Sequence, residues 1–352
     1  MSALPAEVGS RSRTPLDSAA LLDLLRAPDA GVTHSPLGPT PWLYLKLDSL
    51  AALPVWYRKR LPQWARSRAC PIIGAGAGAG NPLGAACDLV VADDAEAQVL
   101  MDNIERTPLA AMTLVQVLRA TELLPIAQAL MVESMGFATL QAGPEFQAWL
   151  GAHERVRSAG SAGPPPGPAL RIERAGATLT ITLARPQRRN ALSVEMRDAL
   201  IEALELVVSD PAIETAVIEG DGPDFCAGGD LAEFGTAPDP ASAHAVRSTR
   251  LPAAALVACR HRVDFRLHGA CIGAGAELAA FGRRVTADAD TWFRLPELGF
   301  GLIPGAGGCV SLVRRIGRQR TTWLAISGER IDAATALAWG LVDSVNRAKG
   351  KR

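Results

Sequence analysis

Glu277 and Glu297 are the acids whose settings could support catalysis, because each stands inside its own glycine-rich segment, HGACIGAGAEL at 268–278 and LPELGFGLIPGAGG at 295–308. A third segment, DFCAGGDL at 224–231, carries the run Cys226-Ala227-Gly228-Gly229. Glycines there let the backbone bend tightly and turn an amide N–H into a cleft instead of a strand ladder. Two acids beside two backbone-donor loops suit acyl chemistry, in which negative charge grows on a carbonyl oxygen. Preorganised N–H donors stabilise that charge, and losing one costs about 2.7–4 kcal/mol of transition-state stabilisation.

An isolated helical glutamate is ordinarily a solvated surface residue, the expectation for Glu202 and Glu205. Glu277 differs by its flanks: Ala276 precedes it and Leu278-Ala279-Ala280-Phe281 follows, an apolar helix with no obvious exposed face. Glu297 follows Leu295-Pro296 and precedes an apolar run, where desolvation would favour the protonated carboxyl. Competing chemistries lack their signatures. There is no G-x-S-x-G elbow, and the five histidines show no zinc-ligand spacing. Cys226 has no basic partner nearby in sequence and reads as a packing residue. His268, directly after a strand at 263–267, reads as a structural hydrogen-bonding group. Asp221, Asp224 and Asp230 are expected to shape the first loop and cap the helix after it.

Taken in order, RPQRRNALSVEM (185–196), GDGPDFCAGGDL (220–231), HGACIGAGAEL, LPELGFGLIPGAGG and GERIDAATALAWGLVDSV (328–345) resemble the crotonase superfamily, the enoyl-CoA hydratase and isomerase fold, over residues 170–345. The twenty-residue spacing of the two glutamates matches hydratases of that family. The resemblance implies an α/β fold, a crotonase-like ββα superhelix, here with an N-terminal α/β and helical extension. It implies hydration of a 2-enoyl-CoA, with Glu277 activating water and Glu297 supplying the proton. The Gly229 and Ala274 N–H groups would form the oxyanion hole, Ala274 standing where many relatives have glycine. Asn190, Ala191 and Leu192, with Ala227, Gly228 and Asp230, are the implied coenzyme A contacts, and Arg188 and Arg189 the implied phosphate partners. Gly275, Pro304 and Gly305 complete the implied substrate-binding set. Phe234 and the Trp292-Phe293 region are expected pocket walls. Coenzyme A enters only as part of the acyl-CoA substrate, with no metal or redox cofactor, and a homo-oligomer, trimer or hexamer, is implied. The alternatives are a double-bond isomerase or carbon–carbon bond hydrolase acting on a CoA ester, or a non-catalytic acyl-CoA-binding or assembly subunit.

Composition fits a metabolic enzyme. The 352 residues are 48% hydrophobic and carry 36 basic and 36 acidic side chains, so no net field attracts nucleic acid. Six scattered cysteines suggest reduced thiols instead of a disulfide framework. The opening MSALPAEVGSRSRTPLD lacks the apolar core of a signal peptide and no apolar run would span a bilayer, so a cytoplasmic protein without membrane partners is expected.

The organisation divides into residues 1–157, a Pro/Gly linker SAGSAGPPPGP at 158–168, and a catalytic core at 169–352. Within the core, strands are expected at 169–173 and 178–183, a helix at 193–207 and a strand at 215–219. The first part holds an apparent repeat: residues 78–93 align without gaps with 273–288, placing Pro82 opposite Glu277, as in a degenerate crotonase-like unit without its acid. A dinucleotide-loop reading of GAGAGAGN at 74–81 is weak, because the third glycine of the fingerprint is missing and only one such unit is present. After the GLVDSV motif the chain ends within ten residues, where crotonases continue with helices that complete the acyl pocket and drive trimer assembly. Residues 96–150, especially ESMGFATLQAGPEFQAWL at 133–150, resemble that module and are expected to substitute for it, over the same or a neighbouring subunit. An independent helical dimerisation region is the alternative.

Overall fold

A computed structural model describes residues 13–27, 30–76, 82–154 and 167–346. The linker expected at 158–168 lies outside them except for Gly167 and Pro168, as do residues 78–81 of the proposed repeat. After helix α1 (Ser18–Arg26), strands β1 (Leu43–Lys46), β2 (Ile72–Ala75) and β3 (Leu89–Val91) pair in parallel, with helix α2 (Val55–Arg66) between the first two. The segment aligned with Glu277 forms a short 3-10 helix, Pro82–Ala86, leading into β3.

Four helices come next: α3 (Asp94–Arg106), α4 (Pro108–Thr121), α5 (Ile126–Gln141) and α6 (Pro144–Ala152). Their boundaries are written locally. The Asp93 side chain caps α3 on the Glu96 N–H at 2.9 Å, and proline opens α4 and α6, where the missing N–H costs no helical bond. Glu145 then reaches from α6 to the Leu109 and Ala110 N–H groups at 2.7 and 2.9 Å, closing the N-terminus of α4.

The second part alternates between two sheets. Strands β4 (Leu170–Ala175), β5 (Thr178–Leu183), β6 (Thr215–Gly220), β7 (Val263–Leu267), β9 (Arg284–Asp288) and β12 (Ser344–Asn346) form one sheet, antiparallel only between β4 and β5. Strands β8 (Ala270–Ile272), β10 (Trp292–Arg294) and β11 (Ile331–Asp332) form the other. The chain steps from β7 to β8 and again from β9 to β10, one strand per sheet in each turn of the superhelix. Helices α7 (Val194–Ser209), α8 (Pro240–Thr249), α9 (Pro252–Cys259), α10 (Ala274–Ala279), α11 (Gly308–Ile316), α12 (Arg318–Ser327) and α13 (Ala333–Trp339) cover the turns. The expected strands at 169–173, 178–183 and 215–219 and the helix at 193–207 are present, within one or two residues at their ends.

One apolar core runs through both parts, joining Leu114, Leu118 and Phe146 to Phe281, Leu302 and Val310. Polar contacts cross the same boundary: Arg318 donates to Asp88 at 2.8 Å, and the Thr121 hydroxyl donates to the Cys309 carbonyl at 2.6 Å. Buried charges persist only when paired, and Asp88 is held by both Arg119 and Arg318. The N-terminal helices thus pack on the second part of their own chain.

Candidate active site

The first loop lies against β8 through backbone bonds: Cys226 N–H donates to Ala270 O at 3.1 Å, and Ile272 N–H returns to Cys226 O at 3.0 Å. Gly228 (φ 94°) and Gly273 (φ 47°) both turn through the left-handed region, and a Cβ at Gly228 would stand 3.1 Å from Ile272 O. The two turns therefore abut. Leu192 bridges this loop by donating to Gly228 O at 2.7 Å and accepting from Asp230 N–H at 3.4 Å. Such a parallel bridge uses the neighbours of Gly229 and leaves its own N–H aimed elsewhere. Ala274 N–H, on the first residue of α10, has no intrahelical acceptor. Among the described residues, neither N–H donates a hydrogen bond.

Both glutamates are buried, Glu277 at 2% exposure and Glu297 at 9%. Glu277 Oε2 accepts from Ala306 N–H at 2.6 Å and Gly308 N–H at 2.8 Å, and glycine at 308 is required because a Cβ would strike the Glu277 side chain. Burial raises the Glu277 carboxyl, while these donors and Arg247 pull it down. Glu297 opens a short 3-10 helix, Glu297–Phe300; its Oε1 packs against Gly273 where any Cβ would collide, and its Oε2 is buried with no hydrogen-bond partner. Burial and then the charge of Glu277 push the Glu297 carboxyl well above the usual range. The pair is therefore poised unequally: Glu277 ionises first and Glu297 keeps its proton.

Sequence reading passed over a third buried glutamate. Glu133, on α5 and fully buried, accepts from Gly307 N–H at 2.8 Å and Cys309 N–H at 2.9 Å. Consecutive amides 306 to 309 thus go alternately to Glu277 and Glu133. Arg247, from α8, lies 3.6 Å from Glu133, donates to Gly305 O and rests over the Phe137 ring at 4.4 Å. The available signal was an acid on an apolar stripe, since Leu130 and Phe137 stand three and four residues away on the same helical face.

A cavity of about 450 Å³ opens beside Gly229. Leu192, Asp230, Phe234 and Leu302 line it from the second part of the chain, and Phe137 and Gln141 from α5 of the first. Trp149 packs tilted against Phe300 and Phe234, with centroids 4.7 and 6.0 Å apart, so α6 backs the same wall. The expected wall at Trp292-Phe293 is corrected: Arg330 covers the Trp292 ring at 3.9 Å, and Phe293 sits in the core, because β10 is the middle strand of the smaller sheet.

The remaining expected residues divide by task. The Asn190 side chain is occupied with backbone, donating to Asp221 O and Asp224 O and accepting from Arg185 N–H, all at 2.9 Å, which fixes the left-handed turn at Arg189 and Asn190. Ala191 comes directly after this turn, Ala227 N–H donates to Arg189 O, and Arg188 is half-buried. Arg189 pairs with Asp224 at 2.7 Å. Asp230 caps the next 3-10 turn on Ala232 N–H at 3.0 Å. Gly275 lies where a Cβ would stand 2.7 Å from Cys226 O, a close-packing position, while Pro304 and Gly305 form the buried start of the loop that Glu277 and Glu133 grip. The Cys226 thiol is buried and pushed up to about 12, inert as a nucleophile, and His268 bonds Gly222 O at 3.0 Å.

With that geometry in place, the sequence profile of the enoyl-CoA hydratase/isomerase family matches residues 173–349. The chain belongs to this family. It is 35% identical over 176 residues to 2,3-dehydroadipyl-CoA hydratase of Escherichia coli, covering 50% of this chain and 68% of that protein. To 1,2-epoxyphenylacetyl-CoA isomerase of Escherichia coli it is 35% identical, covering 47% of this chain and 64% of that protein. A crystal structure of an enoyl-CoA hydratase/isomerase from Marinobacter aquaeolei shares 32% identity, covering 51% of this chain and 71% of that one, with a TM-score of 0.48. The chain therefore spans about two thirds of these family members' lengths, and residues 1–172, including Glu133, lie outside the family match. No helix among the described residues is long and apolar enough to cross a membrane.

Proposed function

We propose that the chain hydrates a 2-enoyl-CoA to a 3-hydroxyacyl-CoA. The observation that carries this reading is the unequal pair of acids: Glu297 Oε2 buried and unpartnered, Glu277 tethered to two amides. In the reaction, Glu277 takes a proton from water as its oxygen adds to Cβ. The electron pair of the double bond moves through Cα onto the thioester oxygen, between the Gly229 and Ala274 N–H groups. Glu297 then protonates Cα as the enolate collapses. One water is consumed, and the carboxyls re-equilibrate their protons with solvent. General acid and base roles of this kind are each worth roughly 10²–10⁴ in rate. No step calls for a metal or redox cofactor. The acyl group would occupy the cavity walled by Phe234, Leu302 and Phe137, with coenzyme A along the 188–192 and 227–230 segments.

Loss of the conjugated-enoyl absorbance of crotonyl-CoA and of a longer 2-enoyl-CoA tests this. Turnover that disappears in both Glu277→Gln and Glu297→Gln supports hydration. Isomerisation needs only one proton-carrying acid, so Glu277→Gln that still moves the double bond of a 3-enoyl-CoA would replace hydration with isomerisation. Binding without turnover of either ester would favour a non-catalytic acyl-CoA-binding role. A homo-oligomer belongs to the same proposal, and light scattering at monomer mass would remove it.

A further inference from the structure

We propose that Glu133, supplied by the N-terminal helices, is a positioning residue for Glu277: it grips the 304–309 loop from the opposite side and, with Arg247 as its counter-ion, sets the charge state in which Glu277 works. This rests on the hydration reading for its kinetic consequence, though not for its geometry. The four amides from Ala306 to Cys309 leave the loop in alternation, two to each carboxylate. Neither acid can shift without disturbing the donors of the other, because the amides are consecutive links of one short backbone run. Phe137, one turn after Glu133, closes over Gly305 where a Cβ would collide, so α5 presses on the loop as well as bonding to it.

Among the described residues, Arg247 is the cation that acts on both Glu133 and Glu277. Arg247 lies 3.6 Å from Glu133 and its guanidinium also binds Gly305 O, in the loop that carries the Glu277 donors. The titratable groups facing Glu277 are Glu133 from α5, Arg247 from α8, Glu297 after β10, Cys226 from the first loop and Cys309 from α11. Both thiols are held protonated by burial, and Arg294 acts on Glu297. With Glu297 holding its proton, the groups left to bring charge beside Glu277 are Glu133 and Arg247. Burial and then the charge of Glu277 push the Glu133 carboxyl up to about 8, so the two acids titrate as a coupled pair, and Arg247 favours the ionised form of each. A residue with only a packing role would hold the loop without moving the titration of Glu277.

The experiment uses full-length protein labelled with [5-¹³C]glutamate, the Glu277 carboxyl resonance being assigned by its absence in Glu277→Gln. In Glu133→Gln the Glu277 midpoint should fall and its titration should narrow to a single step, because the coupled carboxyl that shares its protons is gone. In Arg247→Met it should rise, because the compensating cation is gone. Turnover of a 2-enoyl-CoA by Glu133→Gln should drop roughly 10- to 100-fold in kcat with KM little changed, the loss expected when a catalytic group is displaced by about an ångström. Glu277 midpoints unmoved in both variants would overturn the proposal, as would unchanged kcat in Glu133→Gln. If Glu133→Gln does not fold, the Arg247→Met midpoint alone decides. If the wild type hydrates no enoyl-CoA, the hydration reading fails while the resonance midpoints still test the positioning role.

Discussion

Glu277 and Glu133 meet on the same four amides, yet the two parts of the molecule hold them by different means. The second part uses backbone: Gly273 and Gly308 remove side chains at the points where Glu297 and Glu277 approach, and the loops carry donors toward the acids. The first part uses a docked helix, and its carboxylate arrives because α5 packs against α8 and α11. Backbone placement is local and tolerates little substitution. Helix docking is distributed over a whole interface, so its parts can be weakened by degrees. A cluster of buried acids can thus be set closely at its centre while one supporting element comes from a distant segment of the chain.

Removing the docked part should have the largest effect. Deleting residues 1–158 strips Leu114, Leu118 and Phe146 from the shared core, and we expect insoluble or inactive protein; soluble, fully active protein would show the helices to be dispensable. Next comes Glu297→Gln, expected to lower kcat by roughly 10²–10⁴. The same substitution should stabilise the fold at pH 8. Burial raises the folded-state pKa of Glu297 above its unfolded value, so the carboxyl favours folding below the unfolded pKa, and that advantage is lost as pH rises toward the folded value. A thermal melt of the variant should therefore exceed wild type at pH 8 and converge with it near pH 4; a lower melt at pH 8 would contradict the buried protonated acid.

Phe146→Ala sharpens the distributed side of the contrast. Phe146 is 1% exposed, and its removal should cost about 3–5 kcal/mol in denaturant unfolding with a smaller effect on the chemistry of the remaining folded protein. The smallest effect is expected from Cys226→Ala. Its thiol is protonated by burial, so kcat should stay within about twofold, whereas abolished turnover would restore a nucleophilic role.

Much of the second part was readable along the chain because its signals are local. Glycines at 228 and 273 announce positive φ, apolar flanks announce a buried Glu277, and the alternation in TLTITL announces β5. Asn190 was readable as a site residue, but its side-chain work of holding three backbone groups was not, since those partners lie as far as 34 residues away. Trp292-Phe293 misled for the same reason: two adjacent aromatics look like a pocket wall until strand pairing places one in the core and the other under Arg330.

The family, the two glycine-set acids and the elements around them were legible along the chain, because each depends on residues within a few positions of one another. Tertiary structure alone decided that Glu133 and Arg247 join those acids and that Phe137 and Gln141 line the cavity. The reason is physical: a helix reveals in its sequence which face is apolar, but the partner of that face is chosen by packing across the whole core, and hydrogen bonds such as Glu133 to Gly307 span 174 residues.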